Sequence, residues 1–140
     1  MKILLAVDGS KYTKKMLAYL ATHPELFSAN NDYTVFNAQV PMPPRASAAV
    51  GAAALKGFHA EEAERVLAPV CKFLSRHGID AKSAWKVGAA GPVIAKFSEA
   101  GKFDLLVLGS HGHGALVNLF LGSVATQVLA SCRTPVLLVR

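Results

Sequence analysis

Short apolar runs alternate along the chain with segments in which apolar residues recur every three or four positions, which is the period of a helix. This alternation is typical of βα units, which build a parallel sheet covered by helices on both faces. The sequence therefore predicts an α/β fold. The predicted strands are Ile3–Val7, Tyr33–Val40, Ala81–Val87, Leu105–Leu108 and Val136–Val139. The predicted helices lie near 11–22, 60–77, 91–100 and 123–132.

Three of these runs, the first and the last two, are apolar without interruption, as expected for strands buried on both faces. The third run carries Lys82, Ser83 and Lys86, which favours a position at the edge of the sheet. The segment 41–54 is short of charge and rich in proline and small residues. We predict a mobile connection there rather than a helix or strand.

The length and the cysteines limit the class of protein. At 140 residues the chain has the size of one domain, 1–140, and needs no disulfides to form a core. Cys71 and Cys132 lie in apolar helical segments without redox or zinc-finger spacing, so we interpret them as buried residues in a reducing compartment. The run before Asp8 is too short for a signal sequence or a membrane span. We therefore expect a cytoplasmic protein.

The net charge of +6 raises the question of nucleic-acid binding. Basic residues are scattered over every segment, and no aromatic-rich strand offers a surface on which bases could stack. We therefore expect no nucleic-acid partner. Lys11, Lys14 and Lys15 would raise the potential near a bound anion, but we favour the interpretation that they are solvated surface.

A glycine-rich segment joins the fourth strand to the last helix. Its spacing is Gly109-x2-Gly112-x9-Gly122-Ser123. Glycine allows the backbone to approach a ligand closely, and Ser123 is placed to act as the N-cap of the last helix. The helix N–H groups would then face an anion. An ordinary loop whose glycines only make turns stays open as the alternative.

Asp8 follows the first strand. In doubly wound sheets ligands bind beyond the carboxyl ends of the strands, where the winding reverses. If the first and fourth strands are neighbours, Asp8 and Gly109 face each other across that crevice. The carboxylate would then bond ribose hydroxyls or help to hold Mg²⁺ beside phosphates, and capping of the first helix is the alternative. His111 and His113 have no obvious third ligand and make a poor zinc site.

The glycine spacing, the Asp8-Gly9-Ser10 turn and the closing strand together resemble the universal stress protein family over essentially the whole chain. The resemblance implies a Rossmann-like, open five-stranded parallel sheet of strand order 3-2-1-4-5. It also implies a bound adenine nucleotide, ATP or AMP, with Mg²⁺. His113 stands where the family often has arginine, and an imidazole offers fewer donors than a guanidinium.

The resemblance assigns site residues one by one. Asp8 would contact the nucleotide, and Val40 and Leu108 would line the adenine pocket. The phosphates would lie against the glycine loop and the start of the last helix. The predicted site is Asp8, Val40, Leu108, Gly109, Gly112, His113, Gly122, Ser123 and Val124.

The function that the resemblance implies is a nucleotide-dependent regulator in the stress response. The chain has no P-loop and no G-x-G-x-x-G turn, and Asp8 is the one acid near the predicted site, so we expect at most slow ATP hydrolysis. The alternatives are an adenylyl- or phosphoryl-transfer enzyme of a related fold, and an interaction module that binds AMP, a cyclic nucleotide or no nucleotide.

The final strand predicts a homodimer. In the implied order Pro135–Arg140 forms an edge, and residues 136–139 are apolar. Such an edge is an aggregation hazard unless it is covered. The same strand of a second copy, running antiparallel about a two-fold axis, would cover it, and members of the family often pair in this way.

Overall fold

The structure, a computed structural model, describes residues 1–113 and 120–140. The strands form one parallel sheet in the order β3-β2-β1-β4-β5, which confirms the predicted fold class and strand order. The elements are β1 (Lys2–Ala6), α1 (Lys11–Thr22), β2 (Asp32–Gln39), α2 (Pro44–Val50), α3 (Ala52–Arg76), β3 (Ala81–Val87), α4 (Ala90–Ala100), β4 (Leu105–Gly109), α5 (Ser123–Ser131) and β5 (Val136–Val139).

The segment 41–54 corrects the sequence interpretation. It contains α2 and the start of α3, which begins at Ala52 rather than near residue 60. No residue of α2 is buried, so the segment lacks the apolar period that marks a packed helix. Its alanines have the highest helix propensity of any residue, Pro44 occupies the first turn, and Gly51 separates the two helices with φ +85°.

Each face of the sheet has its own apolar core. Successive side chains of β1 point to opposite faces: Ile3 and Leu5 enter the first core, and Leu4 and Ala6 enter the second. All four are buried, because β1 is central and both of its faces are covered. Helices α1 and α3 cover the first core with Met16, Leu17, Leu20, Ala63, Leu67, Val70 and Leu74, and α4 and α5 cover the second with Ile94, Ala125 and Val128.

Both cysteines are free thiols and partly buried. Cys71 packs against the first core and Cys132 against the second. Burial raises the pKa of the Cys71 thiol, and the charge of Glu64 raises it further, so this thiol stays protonated at neutral pH. Within the described residues, no helix combines the length and the apolar character needed to cross a membrane.

Helices α4 and α5 approach closely at Gly91, which leads to a prediction. A Cβ atom at Gly91 would lie 2.5 Å from the Cβ atom of Gln127, so Gly91→Ala must push the two helices apart. We expect it to lower the free energy of unfolding by about 1–3 kcal/mol, measured by chemical denaturation.

Gly57→Ala is the matched control, because nothing lies within 4 Å of a Cβ atom at this position in α3. The same substitution there should stabilise the protein by about 0.5–1 kcal/mol through helix propensity alone. Equal effects of the two substitutions would contradict the close approach of α4 and α5.

Candidate functional site

A cleft opens at the carboxyl ends of the strands, where β1 and β4 lie side by side. Ala6 pairs with Leu108, which confirms that the first and fourth strands are neighbours. The loop after β1 leads to α1 on the first core and the loop after β4 leads toward α5 on the second, so the two loops diverge. The cleft between them has a volume of about 430 Å³, within the range of about 300–1,000 Å³ that is usual for small-molecule sites.

All nine residues predicted from the sequence line this one cleft. Val40 lies one residue beyond the end of β2 rather than in the strand, and the residue is 76% exposed. Gly109, in turn, is the last residue of β4 rather than the first of the loop. The nine are Asp8, Val40, Leu108, Gly109, Gly112, His113, Gly122, Ser123 and Val124.

Sequence reasoning missed much of the apolar wall of the cleft. Ala38 comes from β2, and Ala90 and Ile94 come from α4. No motif marks these residues. The available signal was topological, since α4 follows an edge strand and returns over the face of the sheet that carries Ala38.

Thr13 was also missed, although it organises the first loop. Its Oγ1 atom accepts hydrogen bonds from the backbone N–H groups of Asp8 and Gly9, each at 3.2 Å. The same hydroxyl donates to Asp8 Oδ1 at 3.1 Å. A hydroxyl residue on the first turn of a helix, facing an aspartate before that helix, is the signal that could have found it.

The Asp8 carboxylate joins the two loops. Its Oδ1 atom accepts the N–H of Ser10 at 2.9 Å, and its Oδ2 atom accepts the N–H of His113 at 3.3 Å. Asp8 is not the N-cap of α1. Ser10 takes that position, and its hydroxyl accepts the N–H of Tyr12.

His113 closes the same contact from the other side. Its Nε2 atom lies 2.8 Å from the backbone carbonyl oxygen of Asp8, and a carbonyl only accepts, so this nitrogen carries the proton. A Cβ atom at Gly112 would collide with Asp8 Oδ2. Glycine at position 112 is therefore what allows the loop to approach the carboxylate.

A series of hydrogen-bonded polar side chains from β2 and α3 supports the loop after β1. Asn37 is buried and its amide donates to the carbonyl oxygen of Val7 at 2.8 Å. The amide of Gln39 donates to Asn37 Oδ1 at 2.6 Å, and Nδ1 of the buried His59 lies 3.5 Å from Gln39 Oε1. The backbone that carries Asp8 is thus tied to β2 and α3.

The two remaining glycines of the motif also lie where the chain packs too closely to leave room for a side chain. A Cβ atom at Gly109 would lie 2.6 Å from the Cβ atom of Tyr12. A Cβ atom at Gly122 would lie 3.0 Å from His111 Cα and 3.1 Å from the carbonyl oxygen of Ser110. Gly122 also donates its N–H to that oxygen at 2.7 Å. The start of α5 is therefore held against the end of β4.

The prediction that Ser123 is the N-cap of α5 is wrong. Gly122 is the N-cap, and Ser123 is the first helical residue, with its side chain exposed and no side-chain cap bond formed. The N–H of Gly122 is bonded to the Ser110 carbonyl. The helix therefore begins at Ser123, one residue earlier than it would with Ser123 as the N-cap. The N–H of Thr126 is the first to reach a carbonyl, that of Gly122.

The N–H groups of residues 123–125 consequently have no partner within the helix. All three residues line the cleft. The first turn of a helix carries a partial positive charge and readily accepts an anion. At α1, by contrast, the chain's own Ser10 side chain fills this role. The cleft thus has an apolar wall at one end and an anion-accepting helix terminus at the other.

Residues 114–119 of the glycine-rich segment lie outside the described residues. Among the residues that are described, no group of three or more histidine, cysteine or acidic side chains is placed to hold a metal ion. Asp8 is the one carboxylate that lines the cleft in that part of the chain.

Comparison of the sequence identifies related proteins. The sequence model of the universal stress protein family matches residues 1–140. A universal stress protein of Thermus aquaticus is 34% identical over 139 residues, which are 99% of this chain and 97% of the relative. Universal stress protein Slr1230 of Synechocystis is 30% identical over 99% of this chain, which spans only 42% of that longer protein.

Solved structures share the fold. Protein MJ0577, which is named a universal stress protein of Methanocaldococcus jannaschii, superposes with a TM-score of 0.81 at 27% identity, covering 99% of this chain and 94% of that one. A universal stress protein in complex with cAMP gives 0.68 at 22% identity, covering 100% and 97%. An Arabidopsis thaliana family member with AMP bound gives 0.69 at 16% identity, covering 99% and 90%.

The position of Asp8 between the loops predicts its contribution to stability. Asp8→Ala removes the acceptors for Ser10, Thr13 and His113, and we expect a loss of about 1–3 kcal/mol in the free energy of unfolding. Asp8→Asn keeps Oδ1 and should lose about half as much. Thermal melts without added ligand measure both changes.

Asp80→Ala is the control, since it removes the same charge at an exposed position. If Asp8→Ala melts at the same temperature as this control and the wild type, the carboxylate does not hold the two loops together.

Proposed function

The chain belongs to the universal stress protein family, and we propose that it is an ATP-binding member that acts as a nucleotide-dependent regulator in the stress response. The proposal takes residues 1–140 as one nucleotide-binding domain that works in the cytoplasm. The observation that carries it is the cleft, in which an apolar wall, a carboxylate and an uncapped helix N-terminus converge. The apolar wall suits adenine, the carboxylate suits the hydroxyls of ribose, and the helix N-terminus suits phosphate.

Family members of the same fold support an adenine nucleotide as the ligand. Structures of relatives contain cAMP and AMP, as described above, and that of an Archaeoglobus fulgidus universal stress protein contains dAMP, with a TM-score of 0.67 at 20% identity over 100% and 98% of the two chains. Those ligands belong to those proteins. They support the proposal here because this chain presents the same fold with a cleft of suitable size.

The proposed pose follows from the polarity of the cleft. The adenine lies against the apolar wall of Ala38, Ile94 and Leu108 and beside Val40. The ribose lies near Asp8, which stands between the two loops. The phosphates lie at the N–H groups of residues 123–125, where the helix terminus favours negative charge.

Magnesium fits this site as a companion of the phosphates rather than as a resident ion. Mg²⁺ in nucleotide sites commonly takes one or two carboxylates, with phosphate oxygens and waters completing its shell. Asp8 supplies one carboxylate, whose Oδ1 atom accepts two hydrogen bonds and whose Oδ2 atom accepts one and keeps a lone pair for the ion. Asp8 would hold the ion, whose role is to neutralise phosphate charge.

The contacts of Asp8 favour binding over rapid turnover. A general base must reach the attacking water, whereas this carboxylate is occupied in joining the loops. We propose at most slow ATP hydrolysis. A regulator that responds to AMP or cAMP is the second candidate, favoured by the ligands of the related structures.

The helix N-terminus supplies the test. Ser123→Pro removes one N–H that faces the phosphates and also removes the hydroxyl, whereas Ser123→Ala removes the hydroxyl alone. Loss of a charge-assisted hydrogen bond costs about 10- to 100-fold in affinity. We expect calorimetry with ATP and Mg²⁺ to show that loss for the proline variant and a smaller one for the alanine variant.

The fold tolerates this proline. Gly122 has φ −70° and ψ 162°, the conformation that a residue preceding proline prefers, and proline is favoured at the first helical position. The proline variant should melt at or above the wild-type temperature. Equal ATP affinity in all three proteins would refute the site, and tighter binding of AMP or cAMP than of ATP would establish the second candidate.

We also propose that the protein forms a homodimer through β5. The N–H groups of Leu106 and Ser110 bond to the carbonyls of Pro135 and Val139, so alternation along the strand turns the polar backbone groups of Val136 and Leu138 away from β4. Among the described residues no strand pairs with that outer side. The same strand of a second copy would satisfy these groups.

Leu138 allows the dimer to be tested with a matched pair of variants. Leu138→Pro removes an outward N–H without breaking the bonds to β4, as edge strands tolerate, while Leu138→Ala removes the side chain and keeps the N–H. Analytical ultracentrifugation at micromolar concentration should find the proline variant monomeric and the alanine variant dimeric. A monomeric wild type, or a proline variant as dimeric as the alanine variant, would contradict the proposal.

A further inference from the structure

A cluster of basic and aromatic side chains lies beside the phosphate end of the cleft. The ring of Tyr12 on α1 lies 5.0 Å from the ring of His111, which lines the cleft. The ammonium groups of Lys11 and Lys15 lie 5.4 Å and 5.0 Å from the centre of the same Tyr12 ring. The tyrosine therefore links two lysines to the wall of the cleft.

The two rings of this cluster, those of Tyr12 and His111, are fixed in position by the contacts of their backbones and neighbours. The missing Cβ atom of Gly109 lets the backbone of Tyr12 lie against the end of β4, and the next residue, Thr13, is buried and bonded to Asp8. Oγ of Ser110 lies 2.9 Å from Nδ1 of His111, which ties the imidazole to the loop. The lysine stems are long and flexible, so their charges can turn toward the cleft while the ring beneath them stays in place.

Within the described residues, neither lysine forms an ion pair with an acidic side chain. In residues 1–113 and 120–140, the ion pairs join Arg65 to Glu62 and Lys82 to Asp32. Asp8, the carboxylate of the cleft in that part of the chain, has both oxygens engaged in hydrogen bonds. The ammonium groups lie 5.4 Å and 5.0 Å from the Tyr12 ring, and that ring lies 5.0 Å from the His111 ring. Each step is shorter than the Debye length of about 10 Å at roughly 0.1 M salt, so salt does not fully screen the charge of the lysines at the cleft.

The cluster lies next to the helix terminus that would hold the first phosphate. A Cβ atom at Gly122 would lie 3.0 Å from His111 Cα, so the start of α5 and the His111 backbone are in contact. A phosphate chain that begins at residues 123–125 and extends past His111 therefore runs toward the lysines. A single phosphate bound at the helix terminus would lie farther from them than the end of such a chain.

Building on the proposed function, we propose that Lys11 and Lys15, held on the Tyr12 ring, bind the terminal phosphates of a nucleoside polyphosphate. The cluster thereby makes the cleft select ATP over AMP. Lysine suits this role, because its ammonium group is a compact point charge that does not demand the fixed geometry of a guanidinium.

The experiment compares ATP and AMP affinities, each measured by calorimetry, in the double variant Lys11→Gln/Lys15→Gln. Each exposed charge contributes about two- to five-fold to ATP affinity, so the double variant should lose clearly in ATP affinity and keep its AMP affinity. Glutamine has a helix propensity close to that of lysine, so α1 should be retained. If the double variant does not fold, the two single variants carry the same comparison.

Lys14→Gln is the matched control, because it makes the same charge change on the same exposed helix surface. It should leave the ratio of ATP to AMP affinity within two-fold of the wild type. An unchanged ratio in the double variant, or an equal loss for both nucleotides, would overturn the assignment while leaving nucleotide binding intact. A wild type that binds neither nucleotide would overturn it together with the proposed function, and an acidic peptide that binds in place of ATP would assign the lysines to a protein partner.

Discussion

The pairing of β1 with β4 is the contact on which the site depends. β1 is central and bonded on both sides, to β2 and to β4, and the winding of the chain reverses between β1 and β4. The loop after β1 turns toward the first core and the loop after β4 turns toward the second. Parallel strands bring their carboxyl ends to one edge, so this reversal by itself opens a cleft there.

The cleft is organised by hydrogen bonds within the protein itself. The Asp8 carboxylate bridges the two loops, His113 returns a bond to the Asp8 carbonyl, and Asn37 holds the carbonyl of Val7. Such preorganisation reduces the ordering cost that a ligand would otherwise bear. It also means that the residues nearest to the proposed nucleotide contribute to the stability of the free protein. The melting temperature of a variant must therefore be measured together with its affinity, because loss of stability can also lower the affinity.

The sequence predicted the centre of the sheet well because β1 and β4 are buried on both faces and their apolar runs are uninterrupted. It failed to predict α2, because no residue of this helix is buried and its sequence therefore lacks the helical period of apolar residues. It failed by one residue at Ser123, because the contact of Gly122 with Ser110 comes from the tertiary structure and not from local preference. The motif residues could be placed in the cleft from the family resemblance, whereas Ala38, Ile94 and Thr13 could not, since packing and not a motif brings them there.

The glycines of the loop have a consequence for how such sequences diverge. Gly109 gives room to Tyr12, Gly112 to the Asp8 carboxylate, and Gly122 to the Ser110–His111 backbone, and each of these neighbours belongs to the protein itself. Selection for folding alone would therefore keep all three glycines in a descendant that had stopped using nucleotide. The spacing of the glycines therefore reflects the architecture, and the proposed nucleotide binding has to be tested at residues that the architecture does not need, such as the lysines of α1.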